Sequence, residues 1–389
     1  MSVWQCIFRE LANAFFHDVR RAIFLFGAAA AYLILFGILY YPGVVKDIPT
    51  VICDESHTAY SRALTKHFTD TDSFSVVRVV SDEKEARQML KEKQAYTAVL
   101  IPQDFAKQIL TGQSSQVLVM MNGANIITTN ISSTAASDVI NAFNDRVAAR
   151  QAALRTSGDE GMLGRRISPV HTSLRVLNNP TQSYMMFFML GLAMAAMQQG
   201  VFLAIGAAVQ GDFRDSILKQ TSPGKVLAVK LGVYWVLSLL SFSLICFLAY
   251  VLGIPNRASV SSLFALSGTF SFAALSLGLM GASVFHNELQ YVRASVMYTV
   301  PAFIFGGYTW PMEAMDPVTQ AVASLFPMAW LSNAIRELFL SGHFARLEQN
   351  ICVLFIMGMV FLVIGSVLYC RRMKDGDRKT GESCQYVLK

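Results

Sequence analysis

Charge is scarce in this chain. Of its 389 residues, Asp, Glu, Lys and Arg make up 15%, against 53% hydrophobic residues. That balance excludes a soluble globular protein, in which about a quarter of residues are charged. Cysteine chemistry is lacking too. Of six cysteines, Cys6 and Cys384 lie near the ends, Cys246, Cys352 and Cys370 in apolar runs, and Cys53 alone in the long polar segment, where it has no disulfide partner. There is no C-x-x-C pair and no His/Cys cluster at metal spacing, so neither a zinc nor a redox site is expected. The sequence also lacks a G-x-x-x-x-G-K-[ST] phosphate loop, an H-E-x-x-H pair and a G-x-S-x-G elbow. Catalysis by this chain is therefore not expected.

What is present is a series of uncharged apolar runs, at 22–41, 184–209, 231–252, 263–285, 294–305 and 351–370. They predict a polytopic α-helical membrane protein with about six transmembrane helices, the fifth of them short. Orientation is set by the basic flanks. Arg9, Arg20 and Arg21 precede the first run; Arg214, Lys219, Lys225 and Lys230 separate the second and third; Arg371, Arg372, Lys374, Arg378 and Lys379 lie beyond the last. Both termini are expected in the cytoplasm. These flanks account for the net charge of +6, so the expected partner is the lipid bilayer and not nucleic acid.

The stretch 293–336 departs from a simple span. Apolar residues run through Pro301 to Phe305, then a Gly- and Pro-broken polar segment reaches Pro317, and a second apolar run ends at Phe326 and Pro327. Backbone of that kind at membrane depth must be buried in protein or face water, because lipid cannot satisfy its N–H and C=O groups. It predicts a re-entrant hairpin over 306–345 before the last span. A Pro-kinked span followed by a surface helix is the alternative.

Gly-Gly-Tyr-Thr-Trp-Pro-Met-Glu-Ala-Met at 306–315, Phe-Pro-Met-Ala-Trp at 326–330 and Arg336, in that order, resemble the type-2 class of ABC exporter permeases. The resemblance implies that the hairpin dips into the outer leaflet as a gate, with Gly306, Gly307, Pro311, Glu313, Pro327 and Arg336 as its marked residues. It implies a permease subunit of an ATP-driven exporter in the bacterial inner membrane, moving an amphiphilic or hydrophobic substrate such as a drug or lipid. The implied partners are cytoplasmic ABC ATPase subunits, which would hold ATP and Mg while this chain binds no cofactor, and a second permease chain, identical or paralogous. A periplasmic adaptor is a further candidate partner.

Residues 1–21 form a cytoplasmic amphipathic helix, with Trp4, Ile7, Phe8, Leu11 and Phe15 on one face and Arg9, Glu10, Asn13, His17 and Arg20 elsewhere. The first transmembrane helix, 22–41, competes with a signal peptide. Tyr40-Tyr41-Pro42 is not a small-residue cleavage site, which favours an uncleaved anchor.

Residues 42–179 have the composition of an external α/β domain inserted after that span. Strands are predicted at 48–53, 74–80, 96–101 and 116–121. Ala59, Ala63, Leu64 and Phe68 share a helical face, Asp82 and Glu85 resemble a capping pair ahead of Ala86, Met89 and Leu90, and Gly112 would stop a helix begun after Pro102. A long helix over 125–154, a loop at 156–166 and a strand at 170–177 complete it. Asp54, Ser56, Ser61 and Arg62, with 98–102, Asp104 and Phe105, also resemble the external domain of the permease family. Residues 180–370 then hold the second to sixth spans, and 371–389 a cytoplasmic tail.

In the second span Met185, Met186, Met189, Met194 and Met197 recur at helical spacing, with Gln198 and Gln199 directly after them. Met186, Met189, Met194, Met197 and Gln198 are candidates to line a pathway, since methionine repacks around varied apolar ligands; ordinary helix packing is the alternative. By resemblance the next loop docks the ATPase, through Asp212, Phe213, Arg214 and Asp215, with His286 and Glu288 of a smaller loop on the same side. The family's denser Glu/Arg cluster followed by Gly-Thr is absent; here Gly211 precedes the charges.

Two rival functions are a secondary transporter and a membrane-tethered external binding protein. The first places ionisable groups at mid-membrane, and the apolar runs contain none. The second needs neither an ATPase nor a broken hairpin.

Overall fold

The computed structural model describes residues 2–40, 45–111, 113–123, 125–155, 178–179, 183–213 and 222–387. It divides into two compact units, one of 1–43 with 177–389 and the other of 44–176. The predicted loop at 156–166, the predicted strand at 170–177, Gly112, Arg214 and Asp215 lie outside the described residues.

The first unit opens with α1 (Val3–Ala12), capped by the Ser2 hydroxyl accepting from the Gln5 N–H while the Gln5 side chain accepts from the Ser2 N–H. Cys6 and Glu10 are its buried residues, whereas Trp4 and Phe8 face outward. The apolar face read from the sequence is therefore divided, and Glu10, expected on the solvated side, points inward. A π-helical turn over Asn13–His17 comes next, closed by the Asp18 N–H donating to the Asn13 carbonyl at 2.8 Å. The wider turn takes one more residue than an α-turn, so the helical faces on its two sides are out of phase. Asp18 then leaves helical backbone geometry and accepts from Arg20 Nε at 2.7 Å and Arg21 Nε at 3.1 Å. The hydrogen bond from Arg20, reinforced by both guanidinium charges, holds the Asp18 carboxyl below its ordinary value. Beyond it come α2 (Val19–Ala22), a second π-helical turn (Ile23–Gly27) and α3 (Ala28–Leu39).

The second unit is an α/β layer. Strands β1 (Ile48–Asp54), β2 (Phe74–Val80), β3 (Thr97–Ile101) and β4 (Leu118–Met121) form one sheet in the order β2-β1-β3-β4. β1 runs parallel to β2 and β3, and β4 closes the edge antiparallel to β3. The strands fall where Val- and Ile-rich runs predict them. Helices α4 (Ala59–Thr69), α5 (Glu83–Lys91), α6 (Phe105–Thr111) and α7 (Ile126–Arg155) make up the rest. Thr58 and Ser61 form a capping box on α4, and Asp82 caps α5 by accepting from the Lys84 N–H. Parallel strands need cover on both faces. Leu64 and Phe68 of α4 with Ile131, Val139 and Phe143 of α7 pack with Ile52 and Val99, while Ala86 and Met89 of α5 pack with Val51 and Ala98. The long helix thus lies across the sheet.

The first unit resumes with α8 (Tyr184–Asp212), α9 (Pro223–Val251), α10 (Val260–Val284), α11 (Glu288–Phe305), a 3₁₀ turn (Met312–Ala314), α12 (Pro317–Ala323), α13 (Pro327–Ser341) and α14 (Leu347–Val387). Among the described residues, five helices are long and apolar enough to cross a membrane: Val19–Leu39, Tyr184–Asp212, Pro223–Val251, Val260–Val284 and Leu347–Lys374. This is the signature of a polytopic membrane protein. The sixth expected span is not among them. α11 has 18 residues and begins with Glu288 and Arg293 in its first two turns, so its uncharged part rises only about 18 Å, against a hydrocarbon core of about 30 Å.

The five spans are not equivalent. In its most apolar window α8 is 72% buried and α10 67%, whereas α14 is 17% buried and the span at Val19–Leu39 22%. A helix apolar all round and covered by protein is a core helix. α8 is the post around which the unit packs.

Candidate functional site

Two places in the helical unit bring functional side chains together, one at each end of α8.

At the Asp212 end, Lys230 lies wholly buried two turns into α9. Its ammonium donates to Asp212 Oδ1 at 2.7 Å and to the Ala208 carbonyl at 2.9 Å, and it lies 3.1 Å from Glu10 Oε1. All three ammonium protons have acceptors. Asp212 Oδ2 accepts from the Tyr369 hydroxyl of α14 at 2.8 Å. Arg21 sits 3.9 Å from Glu10 Oε2 and donates to the Tyr234 hydroxyl at 3.4 Å and the Ala207 carbonyl at 3.5 Å. Two carboxylates thus face two cations, and the network ties α1, α2, α8, α9 and α14 together. Buried charges are tolerated when paired in this way, although Glu10 Oε2 has no hydrogen-bond donor among the described residues.

The apolar runs read from the sequence began after Lys230, so that residue counted as a flank. The helix begins at Pro223, so Lys230 lies inside α9 although outside the apolar run 231–252, which itself holds no charged residue. The charges are mutually paired near helix ends and do not stand alone at mid-span.

The residues expected at an ATPase contact divide. Asp212 is 2% exposed and both of its oxygens are engaged within the chain, so it is not free for a partner. Phe213 is half-buried, its ring 5.5 Å from Tyr369 and 4.0 Å from the Arg372 guanidinium carbon. Arg372 in turn donates to the carbonyls of Ala282, Phe285 and His286, at 3.1, 2.6 and 3.2 Å, and Gln210 donates to those of Ala282 and Phe285. Together they cap the C-terminal carbonyls of α10. His286 is exposed, whereas Glu288 is half-buried, its carboxylate 3.8 Å from Arg20.

At the other end, α11 stops at Phe305 and the chain turns through Gly306 and Gly307, both buried. Gly307 has φ +75°, and a Cβ on Gly306 would stand 2.9 Å from the Ser332 hydroxyl. Tyr308 is driven inward against Gly191 of α8, where an added Cβ would lie 2.5 Å from its ring. Arg336 of α13 places its guanidinium over Phe187 at 4.7 Å and Tyr308 at 4.9 Å, and donates to Asn333 Oδ1 at 2.8 Å. Pro311 and Glu313 are exposed, whereas Pro327 is buried at the first turn of α13. Gln320 of α12 donates to the carbonyls of Met312 and Met315, which pins the short helix onto the turn.

Among the described residues, the methionines of α8 other than Met186 pack into the core. Met189, Met194 and Met197 are each 1% exposed or less, packed in the main core against α10 and α13, and Met186 is half-buried. Ordinary packing describes the three. Gln198 is buried, and neither of its amide atoms finds a hydrogen-bond partner among the described residues. The adjacent Gln199 donates to Ser295 at 3.0 Å and accepts from Thr299 at 2.6 Å, joining α8 to α11.

Sequence reasoning missed Glu10, Lys230, Tyr369 and Arg372 as a set. The available signal was their scarcity: in a chain this poor in charge, each ionisable residue beside an apolar run invites a search for its counter-charge.

A family model described as ABC-2 family transporter protein matches residues 20–367. The probable multidrug ABC transporter permease YbhR of Escherichia coli strain K12 is 20% identical over 350 residues, covering 87% of this chain and 89% of that protein. The probable multidrug ABC transporter permease YbhS of the same strain is 26% identical over 148 residues, 37% of each chain. ABC transporter G family member 20 of Dictyostelium discoideum is 22% identical over 138 residues, 35% of this chain and 18% of that one. Against YbhS, then, the chain matches little more than a third of the relative's length.

Proposed function

The chain belongs to the ABC-2 family of transporter proteins, and from that membership we propose that it is the permease subunit of an ATP-driven exporter. The observation that carries the reading is the family match across 20–367, which takes in both the α/β unit and the helical unit. On this reading ATP and Mg are held by separate cytoplasmic ABC ATPase subunits, and a second permease chain completes the pore. The cargo is amphiphilic or hydrophobic, in keeping with the multidrug names of the relatives, and the membrane is the bacterial inner membrane. A periplasmic adaptor is a further partner that such an exporter could engage.

The finer features accord with the same reading. The α/β unit lies outside the membrane with both termini in the cytoplasm, as the basic flanks require. The segment from Gly306 through α13 is a re-entrant hairpin that closes the outer end of the pathway. Its support is physical: α12 has only 7 residues and the turn before it is irregular, so neither can span, and α13 is largely buried. Coupling to the ATPase runs through the segment after Phe213, with Arg214 and Asp215, and through His286 and Glu288.

Purification in mild detergent, with every co-purifying chain identified, tests the reading. An ABC ATPase recovered in stoichiometric amount is expected. Its consistent absence, with the chain folded and membrane-inserted, would favour a tethered binding protein. Single cysteines at Ser157 and Lys379 test the orientation: a membrane-impermeant reagent added to intact cells should label the first and spare the second.

A further inference from the structure

Between α1 and α9 runs an apolar groove of 660 Å³. Ile7 and Leu11 of α1 form one wall. Ala228, Gly232 and Val236, spaced four apart and hence on one helix face, form the other. The groove stays open over Gly232, where an added Cβ would find no atom within 4 Å. Among its described lining residues Lys225 is the one that carries charge, and it is exposed at the start of α9.

The outer side of α1 says what surrounds this groove. Trp4 and Phe8 are 72% and 68% exposed on an amphipathic helix. Such a helix lies in the plane of the membrane interface with its large apolar residues sunk toward the acyl boundary, and Trp prefers headgroup depth. The groove therefore opens where headgroups meet acyl chains, with a single cation at one end.

We propose that this groove binds one anionic phospholipid, with an acyl chain lying along Gly232 between α1 and α9 and the phosphate at Lys225. The volume falls in the roughly 300–1,000 Å³ range of sites that enclose a small molecule, and the apolar walls with one terminal cation complement a chain ending in an anion. The Glu10–Lys230 ion pair joins the same two helices, so the lipid braces the junction that the buried network fixes.

The delipidated full chain, given an equimolar mixture of dioleoylphosphatidylglycerol and dioleoylphosphatidylcholine and read by native mass spectrometry, tests this. One phosphatidylglycerol should be retained in preference to phosphatidylcholine by about fivefold, the attraction expected of one lysine near an anionic surface. Lys225→Gln should erase the headgroup preference while one lipid stays bound. Gly232→Leu should fill the groove and release that lipid. Equal retention of the two lipids by the native chain, or an unchanged preference in Lys225→Gln, would overturn the proposal. Retention of rhodamine 6G in place of phosphatidylglycerol would make the groove a cargo site and overturn the lipid assignment. Lys225 is exposed, so its variant decides the matter even where Gly232→Leu does not fold.

Discussion

The ammonium of Lys230 stands 2.7 Å from the carboxylate of Asp212, with neither side chain more than 3% exposed. The pair joins the start of α9 to the end of α8, and Glu10 extends it to α1. Removing Lys230 leaves the buried Asp212 carboxylate without its cation and Glu10 with Arg21 alone. Lys230→Met should therefore destabilise the helical unit by about 3–5 kcal/mol, the usual consequence of breaking a buried pair. Thermal unfolding in detergent, monitored by size-exclusion chromatography, reads it. The double variant Asp212→Asn, Lys230→Met removes one carboxylate with its cation, leaves Glu10 opposite Arg21, and should recover most of the loss. A double variant as unstable as the single one would show that shape, and not charge balance, is what the network supplies.

Gly191 and Tyr308 form a similar interlock at the opposite end of α8. With a Cβ at Gly191 placed 2.5 Å from the Tyr308 ring, Gly191→Ala must displace the tyrosine and the Arg336 guanidinium stacked on it. The expected loss is about 1–3 kcal/mol, the range for overpacking a filled core. Tyr308→Ala in the same chain should relieve the clash, so the two changes together should be less harmful than their sum. Additive effects on melting temperature would mean that the ring moves aside freely. Replacing Gly306 and Gly307 together by Leu should impair export while the protein still inserts, because Gly307 has a left-handed backbone. Full export by that variant would remove the hairpin from gating.

Much of this was legible in the sequence, and the limits have physical causes. Strands at 48–53 and 74–80 were readable because Val and Ile alternate with turn residues around them, and the apolar runs at 184–209 and 263–285 were readable because few soluble segments stay uncharged so long. The tight packing of Tyr308 was not readable, since Gly191 lies 117 positions earlier and nothing local marks the pair. Helix ends were misjudged for a different reason. Apolar runs mark where lipid or core begins, whereas a helix continues through paired charges, so Lys230 fell outside the expected span although it lies inside α9. Glu10 was assigned to the solvated face of α1 because the helical pattern carries no information about a counter-charge 220 residues away.

In the α/β unit, burial with the nearby carboxylates of Glu55 and Asp82 pushes the Cys53 thiol up to about 11. The protonated form is therefore favoured in the folded state. Stability from this preference is intact below about pH 9 and is lost as pH rises toward 11, where the unfolded chain ionises and the folded one does not. In a variant with Cys53 as the sole cysteine, modification by maleimide at pH 8 should be negligible until the unit is unfolded in urea. Rapid labelling of the native chain at pH 8 would contradict the buried placement of Cys53 on β1.

Phe213 offers the sharpest test of coupling, because two roles make different demands on it. Its ring packs on Tyr369 and under Arg372, and Arg372 holds the end of α10 through the carbonyls of Ala282, Phe285 and His286. If the ring serves only this internal contact, Phe213→Ala should lower the melting temperature and leave ATPase recovery per folded chain unchanged. If the ring also orders the segment that meets the ATPase, recovery should fall further than stability does. A buried aromatic anchor contributes about 2 kcal/mol or more to an interface, whereas an exposed charge contributes about 1 kcal/mol or less. We expect the second outcome, with Phe213→Ala reducing ATPase co-purification more than Asp215→Ala. The comparison must be made per folded chain, with Arg372→Gln as the control that loosens the α10 cap while keeping the ring. Equal ATPase recovery in all three variants, with transport intact, would move the coupling contact away from the end of α8.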